Sequence, residues 1–305
     1  MDDLVTIVGS YNVGIFLKSS NFPKPGETIL AENYFEGPGG KGSNQALTAK
    51  TLGANTTFIG KLGKDKYGDD ALKLYKHSGI NTSNIFIAEG NHTGVSIILI
   101  NSQGENLISV SLGANEELSI SDLNNCEKVF RESKIVGFQL ENKLDTVIHG
   151  INLSKKSDSM TFLDPAPAQV LPNQIYNNLD FIKPNETETE ILTGIKVENN
   201  EDAIEAGKWF ISKGVKNSII TMGKKGVVWV SKETNRYYEA LDVVEKDTTG
   251  AGDIFAGSFL KSIVETNSVH KSIDYAVTAA SLSVEKEGVV ESIPSQQHII
   301  NFIKK

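Results

Sequence analysis

The apolar positions of this chain fall into short runs, separated by stretches with helical spacing, from one end to the other. Leu4 to Val8 is a β-rich apolar run stopped by Gly9-Ser10, as a strand buried on both faces would read. Thr57 to Gly60, Ile135 to Leu140, Met160 to Leu163, Phe181 to Lys183 and Ser218 to Thr221 are runs of the same kind. Helical spacing fills the intervals: Ala46 to Leu52 ahead of Gly53, Asp69 to Ser78 ahead of Gly79, Ser121 to Ser133, Leu144 to Lys155, and Asp202 to Ser212. Val227 to Val230 and Arg236 to Val244 read as meandering strands. Ile254 to Glu265, His270 to Glu285 and Ser295 to Ile303 read as closing helices. Strands alternating with helices imply an α/β domain whose mainly parallel sheet is covered on both faces.

Two stretches break the alternation. Tyr11 to Phe35 lacks helical period and carries Pro23, Pro25 and Gly26, so it should be irregular or short-stranded. Ser96 to Ile100 and Asn106 to Val110, joined by Asn101-Ser102-Gln103-Gly104-Glu105, predict an antiparallel hairpin. These two stretches are expected to form one small β appendage. With no repeat, low-complexity tract or linker in view, residues 1–305 read as a single domain.

Composition narrows the class. A chain of 305 residues, 39% hydrophobic and 22% charged, can bury a large core and is unlike a disordered chain. Its net charge of −8, with no Lys/Arg-rich run, argues against nucleic acid and acidic membrane surfaces as partners. Cys126 is the single cysteine, which excludes an internal disulfide and a cysteine-based metal cluster. The start, Met1-Asp2-Asp3, is acidic where a signal peptide would be basic, and no run approaches a membrane span. The chain therefore reads as cytoplasmic.

In such sheets ligands bind at the carboxyl ends of the strands, and the polar and glycine-rich stretches sit there. Gly37-Pro38-Gly39-Gly40-Lys41-Gly42-Ser43-Asn44-Gln45 is a glycine-rich turn entering a helix, with Lys41 and Asn44 as donors for hydroxyls. Asn185 can cap a helix, and Glu188 three residues on can complete a capping box. In Asp247-Thr248-Thr249-Gly250-Ala251-Gly252-Asp253 the glycine turn opens a helix, where free N–H groups and the helix dipole make an anion site. A carboxylate beside an anion hole is explained if Asp253 takes a proton from a hydroxyl that attacks phosphorus. The competing reading is an Asp near a helix start, where Asp is favoured anyway.

Gly39 to Ala46 resembles the first signature of the ribokinase/PfkB family of carbohydrate kinases, and Asp247 to Asp253 the second. Phe138-Gln139-Leu140-Glu141, Asp164-Pro165-Ala166-Pro167-Ala168, Pro184 to Glu188 and Thr221-Met222-Gly223-Lys224-Lys225-Gly226 resemble the ribokinase branch. Pro25-Gly26-Glu27-Thr28 and the segment from Thr93-Gly94-Val95 to Leu112-Gly113-Ala114-Asn115 extend the likeness over nearly the whole chain. The resemblance implies a three-layer α/β/α sandwich with a mainly parallel central sheet. It makes the appendage a β-sheet lid, formed by about residues 11–36 and 93–113, that also serves a homodimer interface. It implies an ATP- and Mg²⁺-dependent kinase phosphorylating a small sugar, ribose ranked first. Asp253 would be the general base, and the amides of Gly250, Ala251 and Gly252 the anion hole.

By the same resemblance Asn12, Gly40, Lys41, Asn44 and Glu141 would contact the sugar. Asn185 and Glu188 would arrange Mg²⁺ and phosphate, and Thr221, Gly223, Lys225 and Gly226 would form the nucleotide loop. Asp247, Thr249, Ser283, Lys286, Gly288 and Ser292 would surround a monovalent cation, K⁺. Against this stand plainer readings: Lys41 a solvated surface lysine, Asn44 and Asn185 helix caps, Glu141 an exposed loop carboxylate. One position departs from the family pattern Asn-x-Asp, whose Asp binds ring hydroxyls: Asn12-Val13-Gly14 has Gly14 there. Glycine would leave space for a bulkier or 2-deoxy sugar. Another sugar (2-deoxyribose or a ketohexose) or a nucleoside is therefore the alternative acceptor, and a sugar-binding pseudokinase would require loss of the base or the glycines.

Overall fold

The computed structural model describes residues 3–303, so Met1, Asp2, Lys304 and Lys305 of the expected domain, and half of the acidic start, lie outside it. In chain order the first half comprises β1 (Leu4–Val8), β2 (Asn12–Lys18), β3 (Asn33–Gly39), α1 (Lys41–Thr51), β4 (Asn55–Gly63), α2 (Lys66–Ser78), β5 (Asn81–Ala88), β6 (Gly94–Ile100) and β7 (Asn106–Ser111). There follow α3 (Ile120–Asn125), α4 (Glu127–Glu132), β8 (Ile135–Phe138), α5 (Leu144–Lys156), β9 (Met160–Leu163), β10 (Phe181–Ile182), α6 (Glu186–Thr193) and α7 (Asn200–Ser212). The chain closes with β11 (Asn217–Thr221), β12 (Val227–Ser231), β13 (Asn235–Tyr238), α8 (Ala251–Thr266), α9 (Val269–Ser283) and α10 (Gln296–Ile303).

Nine strands form one sheet in the order β13-β12-β11-β10-β9-β8-β1-β4-β5. The pairings from β11 through β5 are parallel, and β12 and β13 extend the edge antiparallel. Adjacent residues of one strand serve opposite layers. Val5 and Ile7 pack with α1, α8 and α9, whereas Val8 joins Val136 and Phe138 against α3, α5 and α7. Burial on both faces is why these strands read as continuous apolar runs rather than as alternation.

The appendage is a second sheet in the order β3-β2-β6-β7. Its hairpin β6–β7 is the one the turn between them predicts. Tyr11–Phe35 is more regular than its prolines suggested: β2 runs antiparallel to β3 and parallel to β6 in unbroken register. Strand β5 was invisible in the pattern because Asn81-Thr82-Ser83-Asn84 is polar and the strand lies at the sheet edge.

Several boundaries differ for identifiable reasons. The helix expected over Ser121–Ser133 is two, broken where Cys126 takes φ −98 and ψ 9 between α3 and α4. Helix α2 starts earlier than Asp69, because the Asp65 carboxylate caps it by accepting the Gly68 N–H at 2.8 Å. Helix α1 starts at Lys41, not Ala46, so the glycine-rich turn is itself the first helical turn. Strand pairing ends at Tyr238, and the segment expected to continue to Val244 is a connection without ladder bonds.

Candidate active site

At the carboxyl ends of β10 and β11 the chain leaves a cleft of about 780 Å³. Its lining includes Lys183, Asn185, Glu188, Thr221, Gly223 and Gly226 beside the start of α8. Gly250 caps that helix at φ +76, and a Cβ there would lie 2.5 Å from a methyl of Val289, so the turn needs glycine on two counts. Asp253 is the third residue of α8 and is buried. The anion hole differs in detail from the expectation. The Ala251 N–H donates to the Thr248 carbonyl at 3.2 Å, whereas those of Gly250 and Gly252 meet no acceptor among the described residues.

The first turn of α1 faces the same carboxylate. Gly40 is held at φ +88, and a Cβ on it would stand 2.7 Å from the Asn12 nitrogen, which lets α1 begin against the β1–β2 connection. From that turn the Asn44 side-chain amide donates to Asp253 Oδ2 at 2.8 Å. The Gln45 amide donates to Asp253 Oδ1 at 3.3 Å and to Asp164 Oδ2 at 2.9 Å, and its oxygen accepts from Gln139 at 2.6 Å. Asn44 is thus not a cap; one N–H of its side-chain amide is taken by Asp253, and the second remains for another acceptor. Gln45, Asp164 and Gln139 were not singled out from sequence, although all three lie within stretches already suspected for chemistry.

Lys41 is not a solvated lysine. Burial alone would lower its pKa, but the carboxylates of Asp253, Asp164, Glu141 and Glu188 outweigh burial and hold it charged well above the ordinary lysine range. Burial pushes the Asp164 carboxyl up to about 6, with Glu188 and Asp253 adding to the shift and Lys183 and Lys41 opposing it.

Glu141 is buried rather than loop-exposed. Its Oε2 accepts the Lys41 backbone N–H at 2.9 Å and the Ser10 hydroxyl. Asn12, at the head of β2, accepts from the Asn115 amide at 2.9 Å. Two residues on and on the same face lies Gly14. The space expected there is filled. A Cβ at Gly14 would be 2.7 Å from Phe16 Cε2, and the Phe16 ring stacks on Phe35 with centroids 4.4 Å apart.

Asn185 and Glu188 form the expected capping box of α6, each side chain accepting the other's backbone N–H at 2.8 Å. Glu188 lines the cleft, and the box uses its Oε2 rather than its Oε1. Among the described residues no group of three or more His, Cys, Asp or Glu could cage a metal. Ligation through one carboxylate suits Mg²⁺, which keeps waters and takes other ligands from substrate phosphates. Lys225 turns away, donating to the Glu198 carbonyl at 2.8 Å; Lys224 lines the cleft instead, 3.1 Å from Glu245. Leu241, Val243, Val277 and Ala280 add apolar side chains to the cleft lining, which sequence did not reveal.

Beside the turn, Asp247 Oδ1 accepts the Thr249 N–H at 2.9 Å and Oδ2 the Gly288 N–H at 3.0 Å. Ser283 and Ser292 are buried close by in sequence, their hydroxyls donating to the Ala280 and Val289 carbonyls at 2.8 Å. Lys286 is exposed, its backbone N–H bonded to the Ser283 carbonyl at 3.2 Å. The two loops expected to surround a cation are therefore joined through one carboxylate.

A model of the pfkB family of carbohydrate kinases matches residues 2–296. The chain is 36% identical to a ribokinase of Haemophilus influenzae over 304 residues, 100% of this chain and 99% of that one. It is 34% identical to a deoxyribokinase of Salmonella typhi over 300 residues, 98% of each. The structure of Arabidopsis thaliana ribokinase complexed with ribose and ATP superimposes with a TM-score of 0.92 at 29% identity, covering 100% of both chains.

Proposed function

The chain belongs to the pfkB family of carbohydrate kinases, and from that premise we propose that it transfers the γ-phosphoryl of ATP to the 5-hydroxyl of D-ribose. One observation carries the reading. A buried carboxylate, Asp253, stands one residue from the Gly252 N–H, which meets no acceptor among the described residues, in a cleft lined also by Lys41 and by the apolar Leu241, Val243, Val277 and Ala280. Asp253 takes the hydroxyl proton as the oxygen bonds to phosphorus. The Gly250 and Gly252 amides and the dipole of α8 hold the negative charge of the transferring group. Glu141, Asn12 and Lys41 position the sugar; Thr221, Gly223 and Gly226 border the nucleotide.

Mg²⁺ held through Glu188 neutralises phosphate charge when bound. A monovalent cation beside Asp247, where a single carboxylate favours low charge, fixes the glycine turn, and K⁺ is its proposed identity. The lid β2–β3–β6–β7 covers the sugar and pairs with a second copy. Leu107, Ile108 and Val110 of β7 support this, being exposed apolar side chains on an edge strand. Among the described residues no helix is long and apolar enough to cross a membrane, and we place the enzyme in the cytoplasm, where ATP is at hand.

A second reading, 2-deoxyribose as preferred acceptor, is favoured by Gly14 and the apolar Phe16 ring beside it. ADP release measured over pentoses, 2-deoxyribose, hexoses and nucleosides tests both. Ribose or 2-deoxyribose should lead, and a nucleoside or ketohexose leading would overturn both. In Asp253→Asn, kcat should fall by about 10²–10⁴ with nucleotide affinity little changed. A variant keeping more than about half the native rate removes Asp253 as the base.

A further inference from the structure

Lys183 follows the last paired residue of β10 and is a buried lysine at the floor of the cleft, 3% exposed. Its ammonium lies 3.1 Å from Asp164 Oδ1, yet that oxygen accepts no hydrogen bond among the described residues, so the ion pair is a contact without donor alignment. The same ammonium is 3.5 Å from where a Cβ would stand on Gly252. A cation without an aligned hydrogen bond to its carboxylate partner thus sits against the glycine turn, beside an amide with no acceptor among the described residues.

A structural role accounts poorly for this arrangement. Burying an ammonium costs several kcal/mol, repaid only by well-aligned partners, and a hydrophobic pair of the same size often serves as well. The alignment Lys183 lacks is what an incoming anion would supply. The cleft also needs positive charge, because Asp164, Glu186, Glu188 and Asp253 all line it. A triphosphate entering there meets like charge unless a cation faces it.

We propose that Lys183 is a catalytic residue that contacts a non-bridging oxygen of the transferring phosphoryl group. This rests on the phosphoryl-transfer reading of Asp253 and the α8 turn. As the acceptor oxygen bonds to phosphorus, the bond to the ADP oxygen breaks and the hydroxyl proton passes to Asp253. Lys183 keeps its proton throughout and supplies a full charge where the amides supply partial ones. Asp164 and Gln45 connect it to the base, since Gln45 bonds to both carboxylates.

The test compares Lys183→Met, Lys183→Arg and the double variant Lys183→Met/Asp164→Asn with the native enzyme. The double variant removes both members of the pair, so it leaves no stranded charge and keeps the test usable if Lys183→Met fails to fold. Readouts are kcat, KM for ribose, and the binding of Mg-ADP and of a non-hydrolysable Mg-ATP imido analogue. Losing one such contact should lower kcat about 10²–10³-fold in the methionine variants. KM for ribose should hold, the analogue's affinity should drop relative to that of ADP, and Lys183→Arg should regain part of the rate. Retention of more than a third of native kcat in the double variant overturns the proposal. So does equal weakening of ADP and analogue, which marks a packing role. Asp253→Asn measured alongside separates the cases. If it is inactive while the double variant is active, only the role of Lys183 fails; if Asp253→Asn is itself active, the reading of the site fails.

Discussion

Asn44 donates its side-chain amide to Asp253 Oδ2 at 2.8 Å, joining two helices that are 209 residues apart in sequence. With the Gln45 amide 3.3 Å from Oδ1, the carboxylate is held from both sides. Asn44 is therefore placed to act through the base, whether or not its second N–H also meets the sugar. Asn44→Leu removes one donor to a charged acceptor, worth about 1.5–3 kcal/mol. If that loss falls on the alignment of the base, kcat should drop roughly ten- to a hundredfold while KM for ATP holds. Steady-state kinetics check this, and a rise in ribose KM at unchanged kcat would return Asn44 to the sugar.

The Asp247 carboxylate ties the glycine turn to the loop carrying Gly288, so a cation there should act on the turn's shape. Turnover should be fastest in K⁺, slower in Na⁺ and slowest in a bulky organic cation. Asp247→Ala should flatten those differences. Equal rates in all three salts for the native enzyme rule the site out.

Position 14 should respond only when Phe16 responds. A side chain at Gly14 meets the Phe16 ring at 2.7 Å and must displace it from Phe35. Gly14→Asp alone should cost about 1–3 kcal/mol of stability, the usual range for overpacking, and recover little selectivity. Gly14→Asp with Phe16→Ala should raise the preference for ribose over 2-deoxyribose about tenfold or more, as a hydrogen bond to a charged group allows. The measurement is kcat/KM for both sugars. A native preference for ribose above about a hundredfold that the double variant leaves unchanged shows that position 14 does not read the sugar.

Stability should carry the mark of Asp164. Its carboxyl titrates near 6 in the folded chain because it is buried, against about 4 in an unfolded one. Between these values the folded state holds the extra proton, so this group's contribution is favourable below about pH 4, declines as pH rises to 6, and is constant above. Thermal melts of native protein and Asp164→Asn from pH 4 to 8 check the sign. Native minus variant stability should fall between pH 4 and 6 and then level. A difference that rises over that interval contradicts the direction of the shift.

The elements that sequence determined are those with short-range causes. Leu4–Val8 is apolar at every position but Thr6 because both faces are covered, and the helix entered at Asn185 is set by a cap and a Glu three residues on. Gly250 and Asp253 were legible for the same reason: a helix start, its free amides and a carboxylate lie within four consecutive residues. Where local signals conflicted, reading failed. The prolines of Tyr11–Phe35 hid β2 and the start of β3, which pair with each other and, through β2, with the distant β6, and the apolar Leu241 and Val243 resembled a strand but line the cleft.

What tertiary structure decided is which polar groups answer one another. Nothing local pairs Asn44 with Asp253, Gln45 with Asp164, or Lys183 with both Asp164 and the Gly252 turn. A glycine reads as empty space until the ring of Phe16 is found over it. Sequence fixes propensities, caps and periodicity, which act over a few residues. The charge on Lys41, the raised carboxyl of Asp164 and the direction of each amide come from burial and from neighbours on other elements, about 20 to more than 200 residues away, brought together only when the sheet is assembled.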